Sequence, residues 1–271
     1  MDRHQIKMNE PTVSELFDLS GKTALLTGAS GWLGRAFAEA LAEAGATVVA
    51  TSRDEQTAKD IAAKLPAPNG ATHHGIALDQ LDETSINVGF DAALAAAGHI
   101  DILINNGHGG NAEDHTTATA DDFTAVLENA TGYFLLARRL RDHVVERKAS
   151  GSVVMIGSMY GQVASYPDAY EDVCAASPVS YHTLKGGLIH MTRHLAVYWA
   201  KDNVRVNCLS PGPFPGPKAP AEMVERLKTK SPMGRMGQPH ELKGALIFLA
   251  SEAGSYTTGQ NLTIDGGWTA W

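Results

Sequence analysis

Lys22-Thr-Ala-Leu-Leu-Thr27, running into Gly28-Ala-Ser-Gly-Trp-Leu-Gly34 and on to the alanine-rich stretch 35–44, is the segment whose reading decides the fold. The first six residues are a short, nearly continuous apolar run, as expected of a parallel strand covered on both faces. The glycines that follow allow backbone N–H groups to come close to a pyrophosphate, and a helix start adds a favourable dipole. A tight turn into a helix would use the same residues, so the strand–glycine–helix order is what favours a nucleotide.

Outward from that unit the pattern repeats. Ala46-Thr-Val-Val-Ala-Thr51 reads as a second strand, ending in Ser52-Arg53-Asp54. An acid at that end would accept from a ribose 2′-hydroxyl, whereas a base accommodates a 2′-phosphate, so Ser52 and Arg53 predict NADP over NAD. Asp54 suits the cap of a helix over 55–65. Strand 72–78 ends at Asp79, which is placed either to meet an adenine amino group or to cap the next helix, 83–97. Strand 100–104 leads to Asn105-Asn106-Gly107-His108-Gly109-Gly110, at the carboxyl end where open α/β sheets bind ligands. A long helix over 121–147 carries Asn129 and Gly132, poor interior residues that predict a local distortion. Strands 152–156, 204–208 and 261–264 and helices 179–200, 221–228 and 238–251 complete a doubly wound α/β domain with a mostly parallel seven-stranded sheet. Residues 1–20 read as an extension whose Leu16, Phe17 and Leu19 dock on the domain, which spans 21–271 without an internal repeat.

Tyr181-His-Thr-Leu-Lys185 opens the helix at 179. Residues four apart share a helix face, so the phenol and the ammonium can enter one cleft. A free tyrosine, with a pKa of about 10, is a poor proton carrier at neutral pH, and a nearby cation favours its phenolate.

Composition narrows the classes. With 271 residues and a formal net charge of −8, the chain can bury a sizeable core and is a poor partner for nucleic acid or an anionic membrane. No apolar run reaches a membrane span, and the polar start at 1–10 is not a secretory signal. Cys174 and Cys208 offer no disulfide framework and suit a reducing cytoplasm. His190 and His194 are four apart, but Met191 stands where the glutamate of His-Glu-x-x-His would be, so no metal is expected.

Taken in order, Thr27-Gly28 to Gly34, Asp79, Asn105-Asn106, Asn129, Ser158, Tyr181-x-x-x-Lys185, Asn207, Pro211-Gly212 and Asp265-Gly266-Gly267 resemble the short-chain dehydrogenase/reductase family over nearly the whole chain. The resemblance implies a Rossmann domain, a nicotinamide cofactor and a homotetramer or homodimer. It implies that Tyr181 is the general acid/base and that Ser158 holds the substrate oxygen. Lys185 would bind the nicotinamide ribose and lower the tyrosine pKa, and Asn129 would anchor a proton-relaying water. Cofactor contacts are expected at Gly28, Ser30, Gly31, Trp32, Leu33, Gly34, Ser52, Arg53, Asp79, Asn106, Gly107, Tyr181, Lys185, Pro211 and Gly212.

Three departures bear on function. Trp32 stands where the family has glycine, so its indole must fold outward or lie over the cofactor. Asn-Asn-Ala-Gly of the family reads Asn105-Asn106-Gly107-His108, which makes His108 a candidate substrate contact. Ser158 and Tyr181 are unusually far apart, and the insertion 159–180 carries Asp168, Glu171 and Asp172 with Tyr160, Tyr166 and Tyr170. Acids and phenols suit a hydroxyl-rich ligand better than an acyl chain. The finer pattern is most similar to gluconate 5-dehydrogenase-like members and to reductases of nonulosonic-acid synthesis. The expectation is an NADP-preferring oxidoreductase of polyols, sugars or sugar acids. A 3-oxoacyl thioester reductase and a catalytically silent nucleotide-binding or redox-sensing protein are the alternatives.

Overall fold

The computed structural model describes residues 10–110 and 113–270. Its strands are β1 (Thr23–Leu26), β2 (Thr47–Ser52), β3 (His74–Ala77), β4 (Ile102–Asn105), β5 (Gly151–Ile156), β6 (Val204–Pro211) and β7 (Asn261–Ile264). They form one sheet in the order β3-β2-β1-β4-β5-β6-β7, and every neighbouring pair is parallel.

Helices cover both faces, which is why the strands read as unbroken apolar runs. Side chains alternate across a strand. Leu25, Leu103 and Val153 therefore join one core with α4 (Glu83–Ala97), α5 (Ala120–Glu146) and α7 (Val179–Trp199). Ala24, Leu26, Ile104 and Val154 face the other core, against α2 (Trp32–Glu43) and the late helix Lys243–Ala250. Short polar side chains fix the helix starts. Asp54 accepts from Thr57 N at the head of α3 (Glu55–Ala62), Asp82 caps α4, and Thr119 with Asp122 forms a capping box on α5.

Three expectations change. The glycine turn is shorter than expected, because α2 begins at Trp32 with Gly31 as its N-cap. α5 runs through Asn129 and Gly132 without interruption. Gly132 is there for close approach, since a Cβ on it would stand 2.0 Å from the Gln80 carbonyl oxygen. In the extension, α1 (Val13–Phe17) leads to a fully buried Leu19, Leu16 is half-buried, and Phe17 is exposed.

Candidate active site

Loops from the carboxyl ends of the strands enclose a cleft of about 510 Å³. All of the expected cofactor residues line it, from Gly28 through Gly34, Ser52 and Arg53, Asp79, Asn106 and Gly107 to Tyr181, Lys185, Pro211 and Gly212. Ser158 and His108 line it too.

The glycine turn is locked from beneath. Thr27 Oγ accepts the Asn106 and Gly107 N–H groups, each at 2.9 Å, and the Asn106 amide donates to the Thr27 and Gly28 carbonyls at 3.0 Å. Gly28 has φ of +64°, and a Cβ there would lie 2.7 Å from Gly107 Cα. A Cβ on Gly34 would meet the Gly28 carbonyl oxygen at 2.1 Å. No side chain fits at either position, so the backbone itself faces the cleft.

Trp32 is exposed yet lines the cleft. Its indole packs against Gly216 in the loop after β6. Arg53 is exposed at the end of β2, and among the described residues it makes no ion pair or side-chain hydrogen bond. Asp79 is not a helix cap, since Asp82 fills that place; its carboxylate accepts from Leu81 N at 3.0 Å.

Tyr181 and Lys185 share the inner face of α7, with the Lys185 ammonium 5.5 Å from the Tyr181 ring centroid. Burial drives the Tyr181 pKa above its ordinary value, and a hydrogen bond with Ser158 opposes that shift. Lys185 is itself buried, donates to the Ile156 carbonyl at 2.7 Å, and is pushed down to about 8 by desolvation. Ser158 is buried, and its Oγ accepts from Tyr160 N at 3.1 Å.

Asn129 lies outside the cleft lining. Its Oδ1 accepts from the Gln80 amide at 2.6 Å and from Gly109 N at 2.9 Å. Its Nδ2 donates to the Gly109 and Val126 carbonyls at 2.9 and 2.8 Å. With both donors and both acceptor directions used, the side chain braces the loop after β4.

The acids of the insertion also stand elsewhere. Asp168 pairs with Lys230 at 2.5 Å, and Asp168, Glu171 and Asp172 are all exposed and absent from the cleft lining. The insertion folds into a turn of 3-10 helix (Met159–Gly161) and α6 (Pro167–Tyr170), whose aromatic groups pack inward. The Tyr160 and Tyr170 hydroxyls are 2.9 Å apart, and Tyr160 stacks on His182 at 4.7 Å between centroids. Apolar burial of the rings decided their direction, and the carboxylates were left in water.

Sequence reasoning missed Gln80, Tyr133 and Phe214. Gln80 is buried, and its amide donates to the Gly107 carbonyl at 2.7 Å as well as to Asn129, while its Oε1 has no partner. The Tyr133 hydroxyl donates to the same carbonyl at 3.0 Å. A polar residue directly after the Asp79 strand end was the available signal for Gln80. Phe214 lines the cleft from the proline-rich loop, where nothing marked it.

Residues 28–269 match the family model described as enoyl-(acyl carrier protein) reductase. The chain is 35% identical to a D-arabinitol 2-dehydrogenase (ribulose-forming) of Scheffersomyces stipitis, covering 94% of this chain and 96% of that protein. It is 34% identical to a 3-oxoacyl-[acyl-carrier-protein] reductase of Aquifex aeolicus, covering 92% and 98%. Among solved structures, a gluconate 5-dehydrogenase of Burkholderia cenocepacia in complex with NADP and tartrate is similar, with a TM-score of 0.86, 30% identity and coverage of 96% and 100%. The chain belongs to the short-chain dehydrogenase/reductase family, and it is a nicotinamide-dependent oxidoreductase that interconverts an alcohol and a ketone.

Proposed function

We propose that this enzyme prefers NADP and acts on a secondary alcohol, or the matching ketone, of a polyol, sugar or sugar acid. The observation that carries this reading is the convergence of Ser158, Tyr181 and Lys185 on a cleft whose opposite wall is a glycine turn closed to side chains. Such a turn, at the head of a helix, fits a dinucleotide pyrophosphate. Arg53, free of ion pairs among the described residues, supports a 2′-phosphate, as does the likeness to a structure holding NADP. The names of the arabinitol and gluconate relatives support the substrate class.

When bound, the nicotinamide accepts or supplies the hydride. Tyr181 takes or gives the proton at the reacting oxygen, and Ser158 Oγ donates to that same oxygen. Lys185 holds positive charge beside Tyr181 and orients the ribose. Burial keeps Tyr181 as the phenol, which is the form reduction needs. Oxidation needs the phenolate, so its rate should climb as pH rises and the rate of reduction should fall. Catalysis resides in residues 21–271, with 159–180 as an insertion beside the site. Val179, Val197 and Tyr198, exposed along α7, support a homotetramer or homodimer, and two free cysteines support a reducing cytoplasm.

The test is turnover of polyols, sugar acids and a 3-oxoacyl thioester with both cofactors, followed by nicotinamide absorbance, for wild type and Tyr181→Phe. Polyol or sugar-acid activity that falls by about 10²-fold or more in the variant, with cofactor affinity retained, is expected. A preference for the thioester would establish the reading that the Aquifex relative favours. A Tyr181→Phe enzyme with half of wild-type rate would remove Tyr181 from the chemistry.

A further inference from the structure

The loop after β4 is tied down on both sides of His108. On one side, the Gly107 carbonyl accepts from Gln80 at 2.7 Å and from the Tyr133 hydroxyl at 3.0 Å. On the other, Gly109 exchanges two hydrogen bonds with the Asn129 amide, both at 2.9 Å. Between these clamps the imidazole stands edge-on to the Tyr181 ring, with centroids 5.5 Å apart and planes at 88°. It lines the cleft, and among the described residues neither ring nitrogen has a hydrogen-bond partner. With its backbone held on both sides and its ring against Tyr181, His108 presents two free ring nitrogens to the cleft beside the proton-transfer group.

Its protonation state defines what that ligand is. His108 is exposed at the cleft, and partial desolvation there together with the Lys185 cation holds its pKa down to about 4. The ring is therefore neutral near pH 7 and presents one N–H donor and one acceptor nitrogen. A carboxylate would gain no ion pair from it, and an alkyl chain would leave both nitrogens unpaired at a desolvation cost. A hydroxyl group, which both donates and accepts, satisfies it. The reacting oxygen must lie within hydrogen-bond reach of the Tyr181 hydroxyl, so the substrate atoms next to it fall beside His108.

We infer that His108 is a specificity-determining residue that binds the hydroxyl adjacent to the reacting carbinol, so that the site selects vicinal diols and, in reverse, α-hydroxy ketones. The inference rests on the polyol reading above. The reaction stays balanced. The carbinol C–H delivers its hydride to the oxidised nicotinamide, the O–H proton goes to Tyr181, and the neighbouring hydroxyl is unchanged.

The test is the ratio of kcat/KM for D-arabinitol to that for 2-butanol, measured for wild type, His108→Phe and His108→Gln with NADP. Phenylalanine keeps the edge contact with Tyr181 and removes both nitrogens, whereas glutamine restores a donor and an acceptor. The ratio should fall about tenfold or more in His108→Phe and recover in part in His108→Gln. A ratio within threefold of wild type in His108→Phe overturns the assignment. Cofactor titration reports whether that variant is folded; if it is not, His108→Leu decides by the same criterion, a fall of about tenfold in the ratio supporting the assignment and a ratio within threefold of wild type overturning it. A wild type that turns over the thioester and no diol would defeat the polyol reading first, and this inference with it.

Discussion

Gln80 and Gly107 are fitted to each other: the Gln80 amide donates to the Gly107 carbonyl at 2.7 Å, and a Cβ on residue 107 would stand 2.1 Å from Gln80 Oε1. The family's alanine at 107 would displace the free end of a side chain 27 residues earlier in the chain, together with its hydrogen bonds.

Gly107→Ala should therefore destabilise the protein by about 1–3 kcal/mol, as overpacking of a tight interior does. Gln80→Val opens the space, so the alanine should cost less in that background. Urea denaturation of the two single variants and the double variant should give a coupling of about 1 kcal/mol or more. Strictly additive penalties would show that the two positions do not compete.

Lys185 is held at a cost to stability. Its folded pKa of about 8 lies below the ordinary 10.5. Between those values the unfolded chain binds more protons, so stability should climb with pH from about 8 to 10.5. Below that window the penalty is complete, on the order of 3 kcal/mol for a shift of this size. Losing the bond to Ile156 takes back about 1 kcal/mol. At pH 7, Lys185→Met should melt above wild type, lose the alkaline climb and lose turnover. Thermal melts between pH 7 and 10 test the sign, and a lower melting temperature at pH 7 contradicts it.

Arg53→Ala should weaken NADP about ten- to a hundredfold and leave NAD within threefold, because only NADP offers a phosphate to the guanidinium. Fluorescence titration with both cofactors measures this. Equal losses would make Arg53 a structural residue.

Replacing Asp168, Glu171 and Asp172 together by amides should change KM for any polyol less than twofold. The three face solvent, and the pair of Asp168 with Lys230 is exposed. A large rise in KM would mean that the insertion closes over the substrate in a different arrangement.

The fold was legible because each level of the sequence agreed. Apolar runs such as 22–27 fitted only a sheet buried on both sides, and glycines, caps and a Tyr-x-x-x-Lys pair fell where that sheet needs them. What escaped depended on long-range contact. Gly132 looks like a helix fault until the Gln80 carbonyl is seen pressing on it. The bracing role of Asn129 depends on Gln80 and Gly109, which no sequence spacing brings to it. The acids of the insertion seemed to belong to the site by position, but packing of Tyr160, Tyr166 and Tyr170 turned them away.

The strand order reverses between β1 and β4, and the residues of the site come from the two sides of that switch point. The glycine turn and Arg53 come from the half that ends at β3, whereas His108, Ser158, Tyr181 and Lys185 come from the half that begins at β4. Cofactor taste and substrate taste can therefore drift separately, and a chimaera can exchange one without the other. Gln80 crosses the divide, since it follows β3 yet braces the loop after β4. A graft that ends before residue 80 keeps that brace; one that carries in a different residue at 80 leaves Gly107 and Asn129 facing a stranger.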